Sequence, residues 1–516
     1  MLDDIPWCGR STRRGLLIGA LGASVAGPGW AQSAAAPTAT PHRGGTLNVA
    51  IPSDVKSLDP VFQVQFSERQ PLYLLYNTLV GLAPDLSIIP ELTERWETKD
   101  NTLVMHLRSG VHFHDGTIFD ATAAKWNLDY RLDPTTNSPS KQLLGAAIAS
   151  VDAPDAGTLV IHLKGPAPTL LGLLAQREGF MVSPAAAKKY GPNLGTNPVG
   201  SGPFVFKEWT QGSRLVLDRN PNYWDPGKPF LDRVVFLETA DPVVGVQRLM
   251  TKEVDFIQAL SPTIVRPLER VKDIRLDRNP GARWVSLEMR VDRAPYNNFK
   301  VRQAMAYALD RTRLANILMA GKTVVAEGPT PPGFWWFDPN LKSYPYDPTK
   351  AKALLAEAGS GDLHLRLSCQ PTAEDQQIGQ LVQEAFAAVG ITVQVAPVSD
   401  WYSELLRGAI SFLPIRWSQR PDPDGLLTYL FDSKSPANTA HYSNPELDAL
   451  LDQARQLNDQ AARRQLYWKA QEIITHDLPY IPLFFSVEYA ALRQVVQNFV
   501  WIPDGIPRFR EVWKSA

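Results

Sequence analysis

The sequence predicts a mixed α/β fold with two or three lobes. Its 516 residues are too many for one hydrophobic core. Short runs with the period of a β-strand dominate residues 45–260, whereas the period of an α-helix appears from about residue 298. In the C-terminal half a strand, a helix and a second strand follow one another, and this order favours a parallel sheet.

The N-terminus has the features of an export signal. Arg13 and Arg14 precede the apolar run GLLIGALGASVAG, and small residues surround Ala31. This order predicts a twin-arginine signal peptide over residues 1–31 and a linker over residues 32–43. The apolar run is shorter than the roughly 20 residues of a membrane-spanning helix. We therefore expect a soluble monomer, exported to the periplasm, from which the signal peptide is cleaved.

Composition excludes several classes of protein. The 52 basic and 53 acidic residues nearly cancel, so we expect neither a nucleic acid nor an anionic membrane as partner. Cys369 is the one cysteine after the predicted signal peptide, and it cannot form an intramolecular disulfide alone. The 14 Trp, 15 Tyr and 20 Phe supply enough aromatic surface for a ligand cleft in addition to the core.

The predicted strands of the first half follow from alternation. Residues 46–51, TLNVAI, open the globular part as a strand. The runs LVMHLR at 103–108 and TLVIHLK at 158–164 place every second apolar side chain on one face, which is typical of a half-buried strand. We expect this half to be rich in sheet.

Helices dominate the second half. One is predicted from about residue 298 to near Gly321, and a second begins after Asp347, with Pro348 in its first turn, and ends at Gly359. Later elements are a strand-helix-strand unit, a long helical stretch and a final strand: LHLRLSC, QIGQLVQEAFAAVG, ITVQVAPV, NPELDALLDQARQL with RRQLYWKAQEII, and YIPLFFSV. Residues 487–516 are too few for a domain, so we expect them to pack on an earlier one.

No motif for catalysis or cofactor binding stands out. The histidines at 106, 112 and 114 are close together, but zinc sites use three or four convergent ligands with supporting partners, so we expect no metal. In PVGSGPF, Gly200, Ser201 and Gly202 have neither nucleophile-elbow nor phosphate-loop spacing, and we expect a tight turn there. His441 suits helix capping or packing. We therefore expect a protein that is not an enzyme and has no cofactor.

A set of segments in a fixed order identifies a known family. They are GGTLNVA with SLDP at 44–60, IPELTERWE at 89–97, LRSGVHFHDGTIFDA at 107–121, NPVGSGPFVFKEW at 197–209, NPNYW at 220–224 and VRQAMAYALDR at 301–311. With these segments, the chain from Gly44 to its C-terminus resembles the extracellular solute-binding proteins of ABC importers, in the peptide/nickel class that includes dipeptide- and oligopeptide-binding proteins.

The resemblance implies a three-domain periplasmic binding protein fold, in which two lobes close on a cleft. It implies domain I from residues 44–75, 197–295 and 487–516, an inserted domain II from 76–196, and domain III, the second lobe, from 296–486. Hinge closure of such lobes draws its free energy from the ligand's tighter contacts with the closed state.

The implied function is capture of a peptide or another small organic solute and its delivery to ABC permease and ATPase subunits at the inner membrane. Two alternatives remain open at this point. One is a periplasmic hydrolase, for which the histidine cluster could supply a metal. The other is a receptor that presents its ligand to a membrane sensor.

The segment IRWSQRPDPDG at 415–425 is where the resemblance places ligand recognition. Dipeptide and oligopeptide binders of the family carry a Trp here and, three residues later, an Asp that pairs with the α-amine of the ligand. Trp417 matches, but Arg420 stands in the place of that Asp. A guanidinium suits a carboxylate or phosphate and cannot hold an ammonium group. We therefore expect a ligand that bears a negative group or lacks a free α-amine.

Two alternatives to this role stay open. Arg420 can instead form a structural ion pair with Asp422 or Asp424, or one of these aspartates can replace the amine anchor in a shifted register. Arg416 and Arg290 are further candidates for the cleft, the latter at a place where relatives often carry Asn.

Aromatic and amide side chains complete the candidate ligand site. Trp335 and Trp336 lie between Pro and Gly residues in a predicted loop, where core packing explains a Trp pair less readily than it would in a helix. The residues after SLDP border the cleft in the family. The candidates there and before a later helix are Phe62, Gln63 and Gln65, and Trp401 and Tyr402.

Overall fold

The computed structural model describes residues 40–62, 68–279 and 283–515. The predicted signal peptide and residues 32–39 of the predicted linker lie outside these ranges. Within them, none of the helices has the length and the apolar character that crossing a membrane requires.

A seven-stranded mixed sheet forms the centre of the first lobe. In spatial order its strands are β12 (Ile274–Arg278), β18 (Tyr489–Arg493), β11 (Phe256–Leu260), β1 (Thr46–Ile51), β10 (Arg233–Glu238), β9 (Arg214–Arg219) and β8 (Phe204–Thr210). The first strand, β1, is parallel to both of its neighbours. The C-terminal β18 pairs with β11 and β12, so the last segment packs on an earlier domain as the sequence predicts.

A smaller antiparallel sheet is formed by residues that come between β1 and β8 in the chain. Its strands in order are β4 (Thr93–Lys99), β5 (Thr102–Leu107), β7 (Thr158–Leu163) and β6 (Ile148–Asp155), beside a hairpin of β2 (Val80–Leu82) and β3 (Ile88–Pro90). Buried and half-buried residues alternate along β5 and β7, which confirms the alternation read from the sequence.

The second lobe contains two further sheets. One has the order β16 (Phe412–Trp417), β13 (Trp284–Met289) and β17 (Tyr480–Phe485), and the other pairs β14 (Leu363–Cys369) with β15 (Ile391–Pro397). The parallel pairing of β14 with β15 confirms the predicted strand-helix-strand unit. The strand β13 falls within the range expected for domain I but pairs on both sides with strands of the second lobe. A short pair, β19 (Val496–Gln497) and β20 (Trp513–Lys514), lies near the C-terminus.

Fifteen α-helices and four 3-10 helices lie in the described residues. The α-helices are α1 (Arg69–Leu75), α2 (Ala121–Leu132), α3 (Lys141–Ala147), α4 (Leu170–Leu174), α5 (Pro184–Tyr190), α6 (Pro242–Met250), α7 (Pro262–Val265), α8 (Phe299–Tyr307), α9 (Arg311–Met319), α10 (Pro348–Glu357), α11 (Ala373–Ala387), α12 (Trp401–Leu406), α13 (Leu427–Phe431), α14 (Pro445–Arg455) and α15 (Gln460–Asp477). The 3-10 helices are Arg177–Gly179, Gly191–Thr196, Arg266–Arg270 and Pro423–Gly425.

Two of the long helices expected from the sequence are interrupted. The stretch from 298 to 321 is divided into α8 and α9, because the Asp310 side chain accepts a hydrogen bond from the backbone N–H of Arg313 and starts a new helix. The stretch after residue 444 is divided into α14 and α15, where Asp459 caps the second helix in the same way. Asp347 caps α10, as its spacing before Pro348 predicts.

The glycines of PVGSGPF pack against the end of α1. A Cβ atom on Gly200 would lie 2.1 Å from the carbonyl oxygen of Leu75, and one on Gly202 would lie 2.3 Å from that of Leu74. Neither glycine has a positive φ. Glycine is therefore required at these two positions because two backbones approach closely, and not because of the turn geometry expected from the sequence.

One hydrophobic cluster continues from the inserted domain into the second lobe. It joins Leu170 and Leu174 of α4 to Leu426, Leu427 and the residues around them. The two lobes are therefore in contact at this place, which is where the segment 415–425 lies.

Candidate functional site

The loop that follows β16 lies against the first lobe. Trp417 is the last residue of that strand, and the loop leads into the 3-10 helix Pro423–Gly425. Its Pro421 packs on α4, since a Cβ atom on Gly172 would lie 3.9 Å from the Cβ of Pro421. From the second lobe, the Trp335 indole donates a hydrogen bond of 3.4 Å to the Pro421 carbonyl oxygen. The loop therefore occupies the junction of the two lobes.

Asp422 forms a bidentate ion pair with Arg463. The two terminal nitrogens of Arg463 donate to the two Asp422 oxygens at 2.7 and 2.8 Å, and Arg463 is 4 % exposed. Asp424 accepts a hydrogen bond from the Thr428 hydroxyl, and burial raises the pKa of Asp424 to about 6. The aspartates of the loop are thus engaged by residues of their own lobe.

Arg420 forms no hydrogen bond or ion pair with any residue that the structure describes. Its side chain is exposed to solvent within the junction. Desolvation by the surrounding protein is the largest cause that lowers the pKa of Arg420, and the positive charges of Arg69 and Arg177 lower it further. The negative charge of Glu178 raises it. Arg69, Arg177 and Glu178 belong to the first lobe and its insertion, so Arg420 faces cations across the junction.

Trp417 and Tyr429 of the second lobe form an aromatic pair in this region. The Trp417 and Tyr429 rings lie 6.0 Å apart in an edge-to-face arrangement. Tyr429 is 42 % exposed and interacts electrostatically with both Arg420 and Tyr402, which is 47 % exposed. Tyr429 was not identified from the sequence. The helix α13 is short, and no sequence pattern distinguishes Tyr429 from an ordinary surface residue.

Arg416 lies on the opposite face of β16 from Trp417. Consecutive side chains of a strand point to opposite faces. The Arg416 guanidinium pairs with Asp375 and, at 3.1 Å, with Glu374, both in the first turn of α11. The structure therefore does not bring Arg416 to the junction, although it is adjacent to Trp417 in sequence.

Arg290 is also distant from the loop. Its backbone N–H bonds to the carbonyl oxygen of Ser411, and Trp417 lies six positions further along the extended chain, which corresponds to roughly 20 Å. The buried Arg290 guanidinium makes two hydrogen bonds of 2.9 Å to Asp292. This pair explains the arginine without a ligand.

The structure separates the other sequence candidates. Trp335 is half-buried beside the loop, with its ring 6.2 Å from that of Tyr467, whereas Trp336 is completely buried in the core. Phe62 is 41 % exposed. Gln63 and Gln65 lie outside the described residues.

A cavity of about 330 Å³ opens in the first lobe beside the junction. Its wall includes Tyr73 and Arg508, and the Arg508 guanidinium stands 4.0 Å above the Tyr73 ring. None of the sequence candidates that the structure describes lines it. No motif in the sequence marks Tyr73 or Arg508, because Arg508 comes next to α1 only when the C-terminal segment packs back on the first lobe.

His114 has a structural role at the domain junction. It makes a 3.0 Å hydrogen bond through Nε2 to the Gly202 carbonyl oxygen, and its Nδ1 accepts from the Gly200 N–H at 3.4 Å. Burial lowers the pKa of His114 to about 4. The ring is therefore neutral at pH 7, and both ring nitrogens are engaged. Within the described residues, no three His, Cys, Asp or Glu side chains could jointly hold a metal ion.

A buried carboxyl group lies behind Trp417. Glu288 of β13 is 1 % exposed and accepts a 2.6 Å hydrogen bond from the Thr439 hydroxyl, and burial raises the pKa of Glu288 to about 7. The Trp417 indole N–H and the Tyr480 hydroxyl are likewise buried, and both groups interact with this region of the sheet. This face of the three-stranded sheet is polar inside an otherwise apolar cluster.

Comparison with known proteins identifies the family. The profile of bacterial extracellular solute-binding proteins, family 5 Middle, matches residues 87–438. The glutathione-binding protein GsiB of Escherichia coli K12 is 33 % identical over 472 residues, which cover 88 % of this chain and 92 % of that protein.

Solved structures agree with this relationship. The ABC transporter-associated periplasmic binding protein DppA of Helicobacter pylori, in complex with the peptide STSA, superposes with a TM-score of 0.80 at 27 % identity and covers 92 % of this chain and 99 % of its own. The binding protein AgaA of A. tumefaciens R10, in complex with agropinic acid, has a TM-score of 0.78 at 26 % identity and covers 92 % of this chain and 99 % of its own. The chain belongs to the family 5 extracellular solute-binding proteins, which serve ABC importers as receptors and are not enzymes.

Proposed function

We propose that this protein is the receptor of an ABC importer for a small peptide-like solute with carboxylate groups, and that glutathione is the first candidate. The ligand is held between the lobes, in contact with Trp417, Tyr429 and Arg420. The observation that carries the proposal is the unpaired Arg420 guanidinium at the lobe junction, in the place where peptide binders of the family carry an amine-binding Asp.

The contacts around the loop support this assignment of roles. Arg463 occupies both oxygens of Asp422, so Asp422 acts in folding and leaves the ligand to Arg420. Arg416, Arg290 and Trp336 are excluded from the proposed site by their ion pairs and burial. Trp335 and Phe62 remain candidates at its edge.

The named relatives support the ligand class. GsiB is a glutathione-binding protein, and AgaA holds agropinic acid, so members of the family at this level of identity bind acidic compounds as well as peptides such as STSA. Glutathione is a tripeptide with two carboxylates and one ammonium group. A site with an arginine in place of the amine-binding Asp favours a ligand that, like glutathione, has more carboxylates than ammonium groups.

The proposal includes the cellular context expected from the sequence. A twin-arginine signal over residues 1–31 directs the chain to the periplasm and is cleaved. A three-domain chain then passes its solute, as a monomer, to permease and ATPase subunits at the inner membrane. We propose that the boundary between domain I and the second lobe lies before Trp284 rather than at residue 295, and the pairing of β13 with β16 and β17 supports this.

A thermal-shift panel tests the ligand class. Residues 32–516 are mixed with glutathione, with free dipeptides, with N-acetylated dipeptides and with organic acids, since a ligand that binds the folded state raises the Tm. We expect glutathione and other acidic, peptide-like compounds to raise the Tm by several degrees. Stabilisation only by neutral dipeptides with a free amine would contradict the proposal.

A further inference from the structure

The first lobe carries an arginine pair at the point where the second lobe contacts it. Arg69 is the first residue of α1, and Arg177 begins the 3-10 helix that follows α4. The two segments are adjacent, because the Tyr73 ring of α1 lies 4.8 Å from the Phe180 ring, edge to face. The like charges of Arg69 and Arg177 act on each other, and burial together with Arg177 lowers the pKa of Arg69.

The second lobe adds a third arginine to this pair. Pro421 packs on Gly172 of α4, five residues before Arg177, and Arg420 precedes that contact by one residue. A Cβ atom on Gly425 would lie 3.1 Å from the Arg420 Cγ, so the stem of Arg420 packs against its own loop. The charges that act on its guanidinium include those of Arg69, Arg177 and Glu178 in the first lobe.

Two carboxylates, Glu178 and Asp504, lie near these arginines. Glu178 is 3 % exposed and accepts a 2.7 Å hydrogen bond from Arg177 Nε. Asp504 accepts hydrogen bonds of 2.9 and 2.6 Å from Arg508, which brings a fourth guanidinium to the group. Arg69, Arg177, Arg420 and Arg508 thus share this junction with the carboxylates of Glu178 and Asp504.

We infer that Arg69, Arg177 and Arg420 together form one anion subsite, split between the two lobes, that takes a carboxylate group of the solute. The inference rests on the proposed function for the position of the site, and it adds the two first-lobe arginines and a consequence for closure. Closure brings three like charges together, which costs free energy. A bound carboxylate removes this cost, so the anion of the ligand favours the closed state.

Small-angle X-ray scattering of the ligand-free protein tests the closure part. In Arg420→Glu, a carboxylate of the chain replaces the ligand's carboxylate opposite Arg69 and Arg177. We expect ligand-free Arg420→Glu to have a smaller radius of gyration than the ligand-free wild type at low salt, with the difference reduced in 1 M salt. The matched control is Arg313→Glu, an exposed arginine of the same lobe that pairs with Glu384. Equal radii for wild type and Arg420→Glu would overturn the inference.

Calorimetry with glutathione tests the subsite itself. We expect Arg420→Gln and Arg177→Gln each to weaken glutathione binding at least tenfold, whereas Arg214→Gln, an exposed first-lobe arginine paired with Glu208, leaves it unchanged. Far-UV circular dichroism and the Tm establish that each variant folds. Unchanged affinity in both subsite variants would overturn the subsite and leave the receptor function intact. If wild type does not bind glutathione but Arg420→Glu is compact, the proposed ligand fails and the subsite stands.

Discussion

Arg463 holds Asp422 through two hydrogen bonds of 2.7 and 2.8 Å, and this pair determines what Arg420 is free to do. The loop RPDPD contains two carboxylates within four residues of Arg420, so an internal ion pair was an open alternative. Arg463 and Thr428 form hydrogen bonds with those carboxylates, and neither carboxylate forms an ion pair with Arg420. The Arg420 guanidinium is therefore available to a ligand at the lobe junction.

Asp422→Asn should reduce stability. The substitution leaves the buried Arg463 guanidinium without its counter-charge, and breaking a buried ion pair costs about 3 kcal/mol. Denaturant unfolding measures the loss. Asp362→Asn is the control, since Asp362 pairs with His364 on an exposed surface and its substitution should change little. A stable Asp422→Asn variant that had lost ligand affinity would instead assign Asp422 to ligand binding.

Arg420→Gln should alter which ligands bind while the fold stays intact. The guanidinium has no hydrogen-bond or ion-pair partner in the described chain, so its replacement by an amide breaks no such interaction. We expect the Tm to change by less than a few degrees. A preference for free carboxylates over their amides, measured by competition calorimetry, should be lost. A fall in Tm as large as that of Asp422→Asn would show that Arg420 is structural.

Glu288→Gln should change the pH dependence of stability. Burial raises the pKa of Glu288 to about 7, so the folded protein keeps a proton that the unfolded chain loses near its ordinary pKa of 4.5. The carboxyl group therefore reduces stability as pH rises from about 4.5 to 7, by at most roughly 3 kcal/mol. Glu288→Gln should gain stability relative to wild type over that range. Parallel Tm curves from pH 4.5 to 8 would contradict this.

Gly202→Ala should destabilise the junction of domain I and the inserted domain. The new Cβ would lie 2.3 Å from the Leu74 carbonyl oxygen, and backbone must move to admit it. Overpacking of this kind costs about 2 kcal/mol. Gly165→Ala is the control, because no atom lies within 4 Å of its Cβ position and its φ is not positive. Equal Tm values for the two variants would refute the close-approach explanation.

Local patterns in the sequence predicted most of the elements. The alternation of β5 and β7, the cap of α10 and the pairing of β14 with β15 each depend on residues that are neighbours in the chain. The pairing of β13 with β16 and β17 depends on contacts more than a hundred residues away, and no local pattern encodes that choice of partner.

The site divides in the same way. Trp417 and Arg420 were identifiable because they lie in one motif. Arg69 and Arg177 come from segments that approach Arg420 only when the lobes are in contact. Arg416 was a reasonable candidate next to Trp417, but strand geometry directs it to the other face, toward Asp375.

The most direct test of the central claim is isothermal titration calorimetry of residues 32–516 with glutathione and with its diethyl ester. The account predicts that glutathione binds and that the ester, which keeps the ammonium group but lacks both carboxylates, binds at least tenfold more weakly. Equal affinity for the two compounds, or binding of the ester alone, would contradict recognition of the ligand's carboxylates by Arg420.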